Sequence, residues 1–207
     1  SRDAAGNLAT SGDATFTTLT PPDTTPPTVS LTAPLAGATV SGTSVTVSAT
    51  ASDDVSVVGV QFKLDGVTLG AEDLTSPYSV AWDTTTATNA SHTLTALARD
   101  AAGNSATSLG VSVTVDNVAP VLSAITAGTL TASGATVTWT SSEAADTQVE
   151  YGLSTSYGSS TTLDTTLVTS HSQSLTGLTA STLYHYRVKS RDAAGNLATS
   201  GDATFTT

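Results

Sequence analysis

The sequence predicts an all-β protein made of two tandem β-sandwiches joined by short linkers. Three observations point that way. Apolar residues alternate with Thr and Ser over most of the chain, the period-two pattern of half-buried strands. Clusters of Gly, Asp, Asn and Pro break this alternation at short intervals, as turns do. The segment SRDAAGNLATSGDATFTT, Ser1–Thr18, recurs unchanged as Ser190–Thr207, and a partial copy lies at Ala96–Ser108, so RDAAGN begins at Arg2, Arg99 and Arg191. A period close to one small domain marks a chain of similar modules.

Leu19–Thr28 reads LTPPDTTPPT. Proline has no ladder donor, so this stretch cannot join a central strand and is expected to be a stiff, extended linker. A second boundary falls at DNVAP, Asp116–Pro120. The expected division is therefore 1–18 as the terminal hairpin of a preceding repeat, 19–27 as linker, 28–116 as the first sandwich and 117–207 as the second. The repeating unit is Leu19 to Thr207.

In the first sandwich Val45, Val47, Ala49 and Ala51 share one face of a strand, followed by Val58, Val60, Phe62 and Leu64. Val80 with Trp82, then Leu94, Ala96 and Ala98, then Val111, Val113 and Val115 continue the scheme. With their turns these make about seven strands, the number an immunoglobulin-like sandwich requires. The second sandwich repeats the pattern: Ala135, Val137 and Trp139 on one strand, Val149 and Tyr151 on the next, Leu175 and Leu178 entering a corner, then Tyr184, Tyr186 and Val188, and last Ala203 and Phe205. RDAAGN is read as the turn between the last two strands, with Asp capping it, Gly left-handed and Asn at the exit.

The pieces VTWTSSEAADTQVEYG (Val137–Gly152) and LTASTLYHYRVKSRDAAGN (Leu178–Asn196) resemble a fibronectin type III domain, in particular that at the amino end of purple acid phosphatases. The resemblance implies a corner in which the Tyr184 hydroxyl ties its strand to the preceding loop, and it makes 1–18 the end of a fibronectin-like repeat. Ala180 stands where that family usually has Pro, which implies a looser corner. ASDDVSVVGVQFKLDG and SHTLTALARDAAGN in the first sandwich resemble bacterial immunoglobulin-like domains. Together these suggest a segment of a tandem-repeat bacterial surface protein. The metal chemistry of the phosphatases belongs to a separate catalytic domain, so what carries over is fold and not activity.

With 6 basic and 17 acidic residues the formal charge is -11, spread along the chain. Nothing basic is clustered to neutralise phosphates, which argues against nucleic acid or an anionic membrane as partner. There is no Cys, so disulfides and thiolate metal sites are excluded. No run approaches the ~18 apolar residues of a membrane span, and no signal peptide is read at the start.

His92, His171 and His185 are read as solvent-facing strand residues, and no two stand at zinc spacing. Trp82 and Trp139 are in phase with core residues, which favours packing over sugar stacking. The carboxylates offer the better chemistry. Asp53 and Asp54 follow the second strand of the first sandwich, Asp100 and Asn104 lie in the turn before its last strand, and Asp23 is in the entering linker. Glu143, Asp146, Asp192 and Asn196 repeat this near Asp116 and Asn117, in a linker that resembles the calcium linkers of cadherins. Oxygen ligands on converging loops suit calcium, which takes about 6 to 8 oxygens. Turn capping explains Asp100 and Asp192 equally well. Asn89–Ser91 is an N-glycosylation triplet with no further support.

The expected function is a non-enzymatic spacer and scaffold in an extracellular stalk, adhesin shaft or filament. Its expected partners are neighbouring repeats, with strand donation as a route to self-assembly. The alternative is an accessory carbohydrate- or protein-binding module of a secreted hydrolase.

Overall fold

A computed structural model describes residues 1–19 and 21–207. Thr20, inside the expected Pro/Thr linker, lies outside the described residues. The strands of the first domain are β1 (Thr28–Ala33), β2 (Thr39–Val40), β3 (Val45–Ser52), β4 (Val57–Leu64), β5 (Val67–Thr68), β6 (Tyr78–Trp82), β7 (Ser91–Asp100), β8 (Ser105–Thr107) and β9 (Val111–Val115). One sheet has the order β1-β3-β6; the other runs β2-β9-β7-β4-β5, with β8 beside β7. β-branched Val and Thr suit this pleated, half-buried geometry. The inward row of each strand makes one core of Val47, Val60, Phe62, Trp82, Leu94, Val113 and Val115 with their neighbours. Burying each large side chain stabilises the fold by roughly 1.5–3 kcal/mol. On the outer face hydroxyls pair across strands: Thr28 with Ser52, Ser30 with Thr50 and Thr32 with Ser48. The alternating Ser and Thr are thus cross-strand partners as well as solvent-facing residues.

The second domain comprises β10 (Leu122–Thr131), β11 (Gly134–Gly152), β12 (Ser159–Ser160), β13 (Asp164–Thr176), β14 (Leu183–Arg191), β15 (Leu197–Thr199) and β16 (Ala203–Thr206). Here the strand pattern departs from expectation. Two strands were expected around Trp139 and Val149 with a loop between them, but β11 continues through both. Its first part pairs with β10 and β13, its last part with β12 and β14, and the register shifts between Thr140 and Thr147. The segment SSEAAD is therefore an extended crossover between two sheet faces. Polar side chains hold it: Ser141 and Thr147 hydroxyls bracket the His171 ring at 2.8 and 2.7 Å.

That ring requires a correction. His171 is 2% exposed, stacked on Trp139 at 4.9 Å between centroids, and His92 is 9% exposed. Both were expected to face solvent. His92 in fact shares its side of β7 with Leu94, Ala96 and Ala98, and His171 shares its side of β13 with Leu175. His185 does lie opposite to the buried Tyr184 and Tyr186. Trp82 and Trp139 are core residues, each 1% exposed. The tyrosine corner forms, with the Thr179 amide donating to the Tyr184 hydroxyl oxygen at 3.1 Å.

Residues 9–19 form no strand, and Phe16 is 88% exposed. The RDAAGN turn at the start of the chain nevertheless closes on itself. The Asp3 carboxylate accepts from the Ala5 and Asn7 amides and from the Asn7 side chain, and the Gly6 amide donates to the Asp3 carbonyl. The turn is a locally encoded unit.

Candidate functional site

The chain enters each domain past an RDAAGN turn, and the two entrances have the same construction. In the first domain the Asp100 carboxylate accepts from the amides of Gly103 and Asn104 at 2.8 Å each, and from the Asn104 side chain at 2.7 Å. Gly103 takes φ +97°, a conformation that costs glycine nothing sterically. The Asn104 amide group has a second N–H, and it reaches the Asp23 carbonyl in the linker at 3.2 Å. In the second domain Asp192 holds Asn196 in the same way, and Asn196 donates to the Asp116 carbonyl at 2.9 Å. The asparagine therefore does more than exit the turn: it fastens the incoming chain. Burial pushes the Asp100 carboxyl up, but the hydrogen bonds from Asn104 and Gly103 prevail and hold it below its ordinary range.

Two further contacts tie the domains together. The Ser41 hydroxyl of the first domain donates to the Ala194 carbonyl at the tip of the second domain's RDAAGN turn, 2.7 Å away. Asn117 is anchored to the first domain. Its side-chain oxygen accepts from the Gly42 amide and the Thr84 hydroxyl, its side-chain nitrogen donates to the Thr84 carbonyl, and its backbone amide donates to Asn89.

Beside each clamp three carboxylates converge. Asp23, Asp53 and Asp54 form one group, and Asp116, Glu143 and Asp192 the other; in each, one oxygen per residue lies within 4.8 Å of the rest. These are six of the expected ligands, gathered as the sequence pattern suggested. Asp100, Asp146 and Asn117 stand apart. Asp100 is occupied by its own turn, Asp146 accepts from the Arg191 amide at 2.6 Å, and the Asn117 amide is spent on the first domain. In the first group Asp53 uses one oxygen to cap the amides of Val55 and Ser56, while its Oδ1 is buried without a hydrogen-bond partner. In the second, burial pushes the Glu143 carboxyl above its ordinary range, and the charges of Asp116 and then Asp192 push it further. Two all-oxygen sets, the first with an orphaned acceptor and the second with a repelled carboxylate, have the chemistry a hard divalent cation satisfies.

His92 donates from Nδ1 to the Asp65 carboxylate, 2.6 Å away, and from Nε2 to the Thr88 carbonyl at 2.9 Å, and the Asp65 hydrogen bond raises its pKa above the ordinary value. Burial lowers that of His171. Glu150 pairs with Arg187 and Lys189, and Arg187 lies over the Tyr157 ring, forming a shallow polar depression on the second domain.

Comparison with known proteins decides what these domains are. Residues 27–96 match the bacterial Ig domain family, and residues 120–207 match the N-terminal domain of purple acid phosphatase. The chain is similar to a bacterial Ig domain followed by a module of the fibronectin type III-like fold. Both are non-catalytic module types. Exoglucanase B of Cellulomonas fimi is 36% identical over 196 residues, which is 91% of this chain and 17% of that protein. The chain thus spans about a sixth of the curated relative it matches. Fibronectin(III)-like modules of Clostridium thermocellum CbhA share the fold at a TM-score of 0.51 and 18% identity, covering 86% of this chain and 91% of theirs. The FN1-FN3 domains of chicken CNTN1 do so at 0.58 and 16%, covering 87% and 65%. The bacterial Ig domain and its fibronectin-like partner join a sequence-level pattern to a shared construction, in which one turn type guards both entrances.

The clamping asparagines were only half legible beforehand. Their recurrence at a fixed offset from Asp was visible; that their second N–H would reach a linker carbonyl was not, because the partner lies far away in sequence. Ser41, Thr84 and Asn89, which complete the junction, carry no motif at all.

Proposed function

We propose that this Ig and fibronectin-like pair is a spacer whose function is to hold its neighbours at a fixed distance and direction in an extracellular bacterial protein. The observation that carries this reading is the duplicated clamp. Asn104 reaches Asp23 and Asn196 reaches Asp116, so each linker is fastened to the domain it enters. A hinge would need linker carbonyls left to water. The repeated SRDAAGNLATSGDATFTT segment supports a stalk or shaft in which the unit recurs, with neighbouring repeats as its partners.

Calcium belongs to the same proposal. Bound between Asp23, Asp53 and Asp54, and between Asp116, Glu143 and Asp192, it would neutralise the carboxylates that crowd each entrance. A ligand held only by the folded junction raises stability by mass action, about 2.7 kcal/mol at a hundredfold excess over its Kd. The test is calorimetry and small-angle scattering in calcium and in chelator. A higher melting temperature and a narrower spread of lengths in calcium support the reading; identical curves in both remove calcium from it.

A second reading, an accessory module of a secreted hydrolase, is favoured by the exoglucanase relative. Sugar stacking on tryptophan is not available to it, since both indoles are buried. Retention on crystalline cellulose in a pull-down separates the two: a spacer passes through, a binding module stays.

A further inference from the structure

We infer that β13 is a docking edge at which a second copy of this chain adds its own β13, antiparallel and about a two-fold axis. This goes beyond the spacer reading and does not depend on it. β13 pairs with β11 on one side, and its other side has no strand partner among the described residues. From Ser170 to Thr176 it follows Thr140 to Gly134 residue for residue, without a bulge. Alternate residues of such an edge turn both backbone groups away from the sheet, which makes a template for another strand. Proteins ordinarily blunt this template with bulges, prolines, charges or short strands. The other edges of this chain are blunted in these ways. β10 shifts register twice and takes φ +53° at Ala124 and +46° at Thr129. β1 shifts between Leu31 and Ala33 and then meets Pro34, and β6 is 5 residues long behind Pro77. β2, β5 and β12 have 2 residues each, and β8 and β15 have 3. β13 has 13 residues and no Pro, Gly, Lys, Arg or Glu. Its one carboxylate, Asp164, accepts from the Thr166 amide and so closes its own turn.

The occupant is a second copy because the edge is complementary to itself. Antiparallel strands related by a two-fold axis exchange the same bonds in both directions, so one surface serves both partners. Each chain carries a formal charge of -11, so a contact between copies has to keep like charges apart, and Thr165–Thr176 holds no carboxylate. With the axis at Gln173, the centre of the bulge-free stretch, Ser170 faces the partner's Thr176 and Ser172 faces the partner's Ser174. All four side chains are exposed hydroxyls. The chain already joins its own strands by such pairs, Ser123 with Thr140 at 2.8 Å and Thr126 with Thr138 at 3.1 Å. Gln173 is half-buried, and its amide, donor and acceptor together, has no partner among the described residues; across the axis it meets its own kind. His171 and Leu175 are buried between these positions, so the strand presents its edge without refolding.

The test is sedimentation of the full chain up to about 1 mM, in low salt and in about 0.5 M salt, where the Debye length falls to about 4 Å. The inference expects a monomer–dimer equilibrium that strengthens with salt, as repulsion between two acidic chains is screened. Ser172→Lys sets a cation on the edge of each copy, and the two-fold repeats the change, so the dissociation constant should rise at least about tenfold. Thr107→Lys makes the same charge change on an exposed residue of β8 and should not raise it. Melting temperatures of both variants report whether the fold is kept. Geometry is read separately. The chain has no Cys, so a spin label on Leu167→Cys senses only other molecules. Labels about six residues either side of the axis, at about 3.3 Å per residue, lie about 40 Å apart; a parallel, in-register pairing would hold them within about 10 Å. If Ser172→Lys folds poorly, the label distance still decides. A chain monomeric at about 1 mM in both salts, which would leave the edge to a partner of different chemistry, overturns the inference. So does a dimer indifferent to Ser172→Lys or equally weakened by Thr107→Lys, or a label distance far from about 40 Å.

Discussion

Replacing Asn196 with Ala removes three interactions at one junction: the donors to Asp192 at 2.8 Å and to the carbonyls of Asp116 at 2.9 Å and Val118 at 3.4 Å. The last is long and contributes little. Each of the others is worth about 1 kcal/mol net, and Asp192, 5% exposed, would be left with an unpaired oxygen at a further cost of about 1–2 kcal/mol. The expected loss is about 3 kcal/mol from the second domain. For a domain of this size, each kcal/mol moves the melting temperature by about 4–8 °C, so a fall of about 10 °C or more is expected. Scanning calorimetry measures it, and Trp139 fluorescence assigns the transition to the second domain, because the chain's other tryptophan, Trp82, lies in the first. Asn7→Ala is the internal control. Asn7 makes the same bonds to Asp3 but reaches no linker, so its removal should leave both transitions in place. A fall in melting temperature under about 2 °C for Asn196→Ala, or an equal fall for Asn7→Ala, would refute the clamp.

Three more outcomes follow from the same geometry. Without divalent cations the Glu143 carboxyl titrates above its ordinary value, so the folded state binds the proton more tightly and stability falls as pH rises from about 4.5 through the raised pKa; Glu143→Gln should abolish that slope, stabilise the chain in chelator at pH 7, and forfeit the calcium-induced gain at the second junction. The His92–Asp65 pair contributes fully below the ordinary His value of about 6.5 and is lost as pH rises through the raised one; a melting series from pH 6 to 9 should show this loss, and Asp65→Asn should flatten it. Gly152→Ala would drive a Cβ into the Tyr157 carbonyl oxygen, a backbone clash expected to cost the second domain about 3 kcal/mol, read by urea denaturation against Gly201→Ala, whose Cβ meets nothing within 4 Å.

Much of the fold could be read from the sequence because period-two alternation is a local signal. Val47, Phe62, Trp82, Leu94, Val137, Trp139 and Tyr186 occupy the core positions their strands assign them. His92 and His171 went the other way: they were read as opposite in parity to the apolar residues of their strands, whereas His92 is in phase with Leu94, Ala96 and Ala98, and His171 with Leu175. Each is buried with its ring nitrogens partnered, which is what permits it. The SSEAAD segment reads as a loop by composition, and β11 runs through it because β13 and the His171 network supply partners from distant sequence. Convergence of Asp23 with Asp53 and Asp54, and of Asp116 with Glu143 and Asp192, followed from placing turns at one end of a sandwich. The roles of Asp146 and Asn117 did not, since the Arg191 amide and the Gly42 and Thr84 groups claim them first; Asp100 makes the same turn bonds as Asp192 and lies outside the converging groups.

The central claim is that clamped linkers make the two domains one directed rod. The chain has no cysteine, so spin labels can be placed at will on the exposed strands Val67–Thr68 and Ser159–Ser160. Pulsed electron–electron distance measurement between labels at Thr68 and Ser160 reads the angle and separation of the domains directly. A single narrow distance distribution that broadens in Asn196→Ala is the predicted result. A broad distribution in the unaltered chain, unchanged by calcium and by Asn196→Ala, would contradict it.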